Sequence, residues 1–172
     1  MRTRLAAFDL EVEPSKTALL RFGSTSLPGG KREARTFNFL GFTHYVTRSR
    51  KGRFVVGRKT EGKRLRNKLK QLNVKLREMR TEGGRAMVAY LRRHLRGHIQ
   101  YYGVSGNSRA VAKYVYSATY YLFKWLKRRS QRSSLNWKRF NATVRPLLPQ
   151  ARIVHVLYPK PLWMTQAGSR MV

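Results

Sequence analysis

Apolar residues recur at Leu65, Leu69, Leu72, Leu76 and Met79, at spacings of 4, 3, 4 and 3. That period predicts a helix over 63–80 with a narrow apolar seam. Arg64, Lys68 and Lys75 line one shoulder of the seam, and Arg66, Lys70 and Arg77 the other. After a break at Gly83-Gly84, Leu91, Leu95, Ile99 and Tyr102 share the inward face of a second helix over 85–102. Gly103, Gly106 and Asn107 then turn the chain. A third helix over 109–129 faces Val111, Val115, Ala118, Leu122 and Trp125 inward. A short fourth helix, capped by Ser133 or Ser134, would use Leu135, Trp137, Phe140 and Val144. Pro146, Pro149, Pro159 and Pro161 make the remainder an extended tail.

The first third of the chain carries a different rhythm. Arg2–Leu10 has helical spacing, Pro14-Ser15-Lys16 turns, and Thr17–Phe22 is a short apolar strand. Gly23–Lys31 is a loop whose spacing fails the G-x-x-x-x-G-K-[ST] phosphate loop, since Thr25 and Arg32 fall where it needs other residues. Thr36–Val46 alternates aromatic and small residues and predicts a strand. Arg53–Arg58 predicts a second, joined to the first through the basic turn Thr47–Gly52. The fold class is therefore α+β. Residues 1–60 form a β-rich part with a basic hairpin, 61–145 a helical part of three to four helices, and 146–172 the tail.

Charge changes the picture from fold to partner. The chain holds 38 Lys+Arg against 7 Asp+Glu, a net of +31. Residues 1–44 hold 7 against 4, and residues 45–172 hold 31 against 3. Self-repulsion on that scale opposes the compact state unless a polyanion supplies counter-charge. Nucleic acid does so through phosphate contacts and counterion release. A membrane surface would also do so, but no apolar run approaches the roughly 18–20 residues of a bilayer span. The start carries no signal-peptide core and the chain has no cysteine, so an intracellular, cytoplasmic protein on nucleic acid is expected.

Arg92–Asn107, RRHLRGHIQYYGVSGN, concentrates the chemistry. Tyr101 and Tyr102 sit at a helix break beside Arg92, Arg93 and Arg96. Rings stack on bases while guanidinium groups grip phosphates, so such a corner suits RNA. The alternative is a plain helix end with Tyr102 in the core and Tyr101 half exposed. Arg48, Arg50, Lys51 and Arg53 at the hairpin tip, and Lys63, Arg64 and Lys68 on the first helix, are further phosphate candidates by charge and position. No catalytic set can be assembled. The single aspartate, Asp9, lies with Glu11 and Glu13 at a turn, whereas two-metal chemistry needs converging carboxylates. His94 and His98 have i,i+4 metal-ligand spacing, but no glutamate intervenes and three arginines surround them. No metal and no cofactor are expected.

These residues resemble a known family. RLAAFDLEVEPSKTALLRFG (4–23) is similar to the late palm segment of group II intron reverse transcriptases, and TFNFLGFTHY (36–45) to the next block of that palm. R-G-H-x-x-Y-Y-G-V-x-G-N (96–107) resembles the signature of their maturase-specific domain, called domain X or thumb. RSSLNWKRFN (132–141) and RIVHVLYP (152–159) follow in the same order, so the resemblance covers roughly 4–159. The Y/F-A-D-D block that carries the family's catalytic aspartates does not occur, nor does a zinc-containing HNH endonuclease. The resemblance is therefore to the C-terminal part alone: a palm remnant and basic hairpin, a helical thumb, and a tail. It implies a module that grips structured intron RNA to promote splicing and tracks an RNA/DNA template–primer duplex. Its candidate contacts are Arg96, His98, Tyr101, Tyr102 and Asn107, with Lys16 matching a lysine near the primer or nucleotide. A complete enzyme of the family would use magnesium, whose ligands are missing from this sequence, so polymerase activity by the chain alone is not expected. The expected function is an RNA-binding maturase fragment. The alternatives are a thumb acting in trans with a separate reverse transcriptase half, a general basic RNA-packaging protein, and a truncated remnant without function.

Overall fold

A computed structural model describes residues 8–9, 11, 13, 36–49, 52, 54–129 and 135–157. Three strands, β1 (Phe37–Phe39), β2 (Phe42–Arg48) and β3 (Phe54–Thr60), form an antiparallel sheet in the order β1-β2-β3. Helices α1 (Gly62–Glu78), α2 (Gly84–Tyr102), α3 (Ser108–Lys127) and α4 (Trp137–Thr143) follow, and then a 3₁₀ turn at Arg145–Leu147. The protein is α+β. Its contacts divide it into two units, one of 1–37 with 45–57 and one of 38–44 with 58–172.

The single strand expected over Thr36–Val46 is two strands joined by a two-residue turn, Leu40-Gly41. Leu40 has φ 48° and Gly41 φ 77°, the double positive φ that a tight primed hairpin turn requires. Alternation alone hid this break, because Phe39 and Phe42 read as continuous strand on either side of it. Phe8 and Asp9 lie in a turn, with Asp9 at φ 53°, so the helix expected over 2–10 does not reach its proposed end. The rest of that helix, the strand at 17–22, the loop at 23–31 and the residues beyond 157 fall outside the described residues. In the first unit, Val46 is buried, and a Cβ at Gly57 would strike the Tyr45 ring.

The second unit is built on the periodicity of its three long helices. Leu65, Leu69, Leu72, Leu76 and Met79 of the first seam are all buried. So are Leu91, Leu95, Ile99 and Tyr102 on α2, and Val111, Val115, Ala118, Leu122 and Trp125 on α3. α3 packs on both α1 and α2, so it carries a wider apolar face that also buries Tyr114 and Thr119. Fully burying each such side chain contributes about 1.5–3 kcal/mol, which is how the fold tolerates like charges along α1. Trp125 fastens α3 to α1, its Nε1 donating to Asn73 Oδ1 at 2.9 Å, with Arg80, Lys124 and Arg128 within 5.0–5.7 Å of its ring.

α4 starts later than expected. Asn136, not Ser133 or Ser134, caps it, accepting from Arg139 N at 2.8 Å. Phe140 is fully buried, and Trp137, expected inside, stays 40% exposed, stacked on Phe140 and edge-on to Phe123. Arg145 Nη1 then donates to Thr119 Oγ1 at 2.8 Å, and Leu148 is buried. The following residues run back along the end of α2. Val154 N and His155 N both donate to Gly103 O, at 2.6 and 2.9 Å, and His155 forms a parallel bridge with Val104.

Candidate nucleic-acid interface

One side of α2 is committed to the core through Met87, Leu91, Leu95, His98, Ile99 and Tyr102. The opposite side is set by that choice. Arg92, Arg96 and Gln100 form one i,i+4 row, and Arg93, Gly97 and Tyr101 form the neighbouring one, all six exposed. Arg92, Arg93 and Arg96, joined by Arg85 and Arg129, also rim a groove of about 920 Å³ floored by Val88, Ala89 and Leu126. None of these arginines makes an ion pair among the described residues, where only Arg64–Glu61 and Lys75–Glu78 do. Cations clustered without carboxylates are free to neutralise phosphates.

At the C-terminal end of this face the two tyrosines divide as the plainer reading had it: Tyr101 is 50% exposed and Tyr102 is 4%. Tyr101 is also pinned. Its ring stacks on Phe42 with centroids 5.9 Å apart and planes at 17°, and its hydroxyl donates to Leu40 O at 2.8 Å. The same turn leans on the neighbouring ring, since a Cβ at Gly41 would lie 2.9 Å from Tyr102 Oη and 3.1 Å from Arg64 Nη1. Gly41 O accepts from Glu61 N at 3.0 Å. The F-L-G-F turn and the Y-Y-G corner, sixty residues apart, are thus one structure, and it holds Tyr101 as a half-exposed ring in fixed orientation. Tyr102 packs against both Phe42 and Tyr101, and its burial raises its phenol pKa despite the Arg64 hydrogen bond, which lowers it.

Burial removes three sequence candidates from direct contact with RNA: Tyr102, His98 and Asn107. Asn107 is 1% exposed. It accepts from Thr60 N and donates to Thr60 Oγ1 and Tyr102 O, each at 2.8 Å, so its amide ties the end of β3 to the corner. His98 is also 1% exposed, its ring 3.6 Å centroid to centroid from Tyr114 at 11° and 4.7 Å from Tyr102. Burial, then the charges of Lys68 and His94, push its pKa down to about 3. His94 shares a 2.7 Å hydrogen bond with Tyr114 Oη, and its pKa is lowered by burial and then by Lys68. The His-x-x-x-His pair is therefore aromatic packing and not a ligand set. Its spacing was right for one helix face, and that face is the inner one. Among the described residues no three His, Asp or Glu side chains gather closely enough to hold a metal.

The basic candidates on α1 separate in the same way. Lys63 and Arg64 are exposed, although Arg64 is shared between Glu61 Oε2 at 3.9 Å and the Tyr102 hydroxyl. Lys68 is half-buried, its Nζ 5.5 Å from the Tyr102 ring centroid and 5.9 Å from that of Tyr114, and desolvation then Arg64 lower its pKa. In the first unit, Arg48 is exposed at the end of β2. Arg50, Lys51 and Arg53 lie outside the described residues.

A second exposed surface lies on the third long helix. On α3, Arg109, Lys113, Tyr116, Tyr120 and Lys127 follow one helical stripe and are all exposed, with Tyr116 at 66% and Tyr120 at 48%. The signal was present as two tyrosines four apart and off the inward register. The density of aromatics on this helix obscured it.

No known family model, curated protein or solved structure matches the chain. No helix among the described residues is long and apolar enough to cross a membrane.

Proposed function

We propose that the chain is an RNA-binding module of the thumb and maturase type found in group II intron reverse transcriptases, acting on structured intron RNA by binding and without bond chemistry. The observation that carries this reading is the outer face of α2, where Arg92, Arg93 and Arg96 run unpaired toward a Tyr101 ring fixed at its end. Cations with a rigid, half-exposed ring offer both phosphate neutralisation and base stacking. The net charge of +31 gives such a surface a long-range field for polyanions. By neutralising phosphates that repel one another, the face would favour compact RNA and hence its splicing-competent fold. Polymerisation is not assigned to the chain.

The test is binding to structured intron RNA and to a scrambled RNA of equal length across a salt series. The reading expects tighter binding of the intron RNA at physiological salt, with the preference removed by Tyr101→Ala or Arg96→Ala. Equal binding of both RNAs would leave a packaging polycation. A second reading, action in trans with a polymerase half, is favoured by Phe39 and Leu40, which are 59% and 64% exposed beside the tyrosine corner. It predicts co-purification with such a half, and reverse transcription only when both are present.

A further inference from the structure

Two glycines of α2 and its end, six residues apart, have opposite explanations. Gly103 is required by the chain itself. A Cβ there would strike the carbonyl oxygen of Ile99 and come within 2.9 Å of Arg152 O, because the returning segment passes directly over it. Gly97 is in mid-helix, exposed, and a Cβ added to it would meet nothing within 4 Å. Its backbone is ordinary helix, so no positive φ demands glycine. Glycine at such a position weakens a helix relative to alanine. Nothing among the described residues repays that loss.

The surroundings of Gly97 supply a reason outside the chain. It sits at the centre of the exposed face, with Arg93 and Tyr101 one turn away in its own row and Arg96 and Gln100 in the adjacent row. On one side the face continues into a groove of about 960 Å³, whose far wall is Gln150, Ala151 and Arg152. That wall is fastened by the two bonds to Gly103 O and by His155 Nε2, which lies 2.9 Å from Gln100 O. The groove is thus a built channel in which Gly97 offers no side chain, Ile99, Pro149 and Val154 supply apolar lining, and Arg96, Arg152 and the amides of Gln100 and Gln150 supply the polar groups. Such a channel matches a sugar–phosphate strand, which needs close backbone approach and flanking cations more than it needs shape-specific pockets.

We infer that Gly97 is the floor of a track for a single RNA strand, which crosses α2 between Arg96 and Arg152 and delivers a base to Tyr101. The inference rests on the proposed RNA-binding function and names the subsite within it. Gly97, Gln100 and Arg152 are added to the interface as strand-contacting residues.

The experiment uses the full chain, a fluorescein-labelled single-stranded RNA oligonucleotide and a salt series read by anisotropy. It compares wild type, Gly97→Ala and Gly97→Leu, with thermal unfolding of each. Gly97→Ala is expected to raise Tm by about 2–4 °C, since it improves helix propensity in open space. Gly97→Leu is expected to fold and yet bind RNA about tenfold or more weakly. Its log–log salt slope should be shallower by about 1, because the lifted strand leaves a flanking arginine. A fall in Tm for Gly97→Ala would overturn the inference by giving the glycine an internal role. Wild-type affinity and slope in Gly97→Leu would also overturn it while leaving RNA binding intact. Absence of salt-dependent binding of this single strand by wild type that still binds structured RNA would overturn the track alone, whereas absence of binding to both would overturn the proposed function and the track with it.

Discussion

His98 makes the helical unit sensitive to acid, and the size of the effect follows from where the ring sits. The side chain is sealed between Tyr114 and Tyr102, and neither ring nitrogen has a hydrogen-bond partner among the described residues. The groups that face it are Lys68 from α1, His94 from its own helix, Tyr102 at the helix end and Tyr114 from α3. None is an anion at neutral pH, so protonation of the folded state finds no compensation. The imidazole titrates near 6.5 in an unfolded chain and at about 3 here. Because the folded pKa is depressed, the unfolded state binds more protons throughout the interval between those values, and stability must fall as pH falls through it. The full loss, reached only below pH 3, is about 5 kcal/mol at 1.36 kcal/mol per unit, of which about 2 kcal/mol has already gone at pH 5. His94, lowered in the same direction by burial and Lys68, adds to the trend. Against a total of about 5–15 kcal/mol for an ordinary domain, that removes a sizeable share of the stability as pH falls from 6.5 to 3.

The assay is urea unfolding at fixed ionic strength at pH 7.5, 6 and 5, followed by far-UV circular dichroism. His98→Phe keeps an aromatic ring against Tyr114 while removing the titration. The extra ring volume sets its absolute stability, so the readout is the dependence on pH. Wild type is expected to lose about 2 kcal/mol between pH 7.5 and 5 through this residue, and the variant correspondingly less. Equal losses in the two proteins would refute the reasoning and mean that His98 is protonated in the folded state, with a partner that the packing does not show.

Four further outcomes are expected. Asn107→Ala removes three buried hydrogen bonds and strands the Thr60 N–H, so chemical denaturation should show a loss of about 3 kcal/mol. Leu40→Asn places an Asn-Gly pair in the primed turn at an exposed position of φ 48°, and should raise stability by about 1 kcal/mol in the same assay. Tyr101→Phe keeps the ring but loses the bond to Leu40 O, costing about 1 kcal/mol of stability, whereas Tyr101→Ala should weaken RNA binding by about tenfold in a filter-binding titration. Arg96→Ala should make the salt slope of RNA binding shallower by about 1, and an unchanged slope would remove Arg96 from the interface.

The helices were legible because each packs one face only, and a period of 3.6 is visible wherever one face is apolar. The seam on α1 and the inward set on α2 appear in the fold residue for residue. Boundaries were legible to within about two residues where glycine marked them, as at Gly83-Gly84 and Gly103. Three things were not. The Leu40-Gly41 turn is invisible to alternation, since it is held by a bond from Tyr101 to Leu40 O and one from Glu61 N to Gly41 O, residues distant in sequence. The cap of α4 was misplaced because two serines and one asparagine competed, and only tertiary packing of Phe140 decides where the helix begins. The third was the division of labour within the signature, which sequence order cannot express.

That division has a physical cause. In R-G-H-x-x-Y-Y-G-V-x-G-N, residues three or four apart share a helix face, so the motif must contain two populations if it both packs and binds. His98 and Tyr102 lie four apart on the inner face, and Asn107 closes the corner beneath them. Arg96, Gly97 and Tyr101 lie on the outer one. The buried members fix the helix rotation, the strand end and the Leu40-Gly41 turn, and those in turn fix the ring of Tyr101. Substituting a buried member should therefore disturb RNA binding only in proportion to the stability or rigidity it removes, whereas substituting Arg96, which makes no contact among the described residues that holds the fold, should change affinity at constant stability. Reading every residue of such a motif as a contact mistakes the support for the surface, and the i,i+4 rows separate the two.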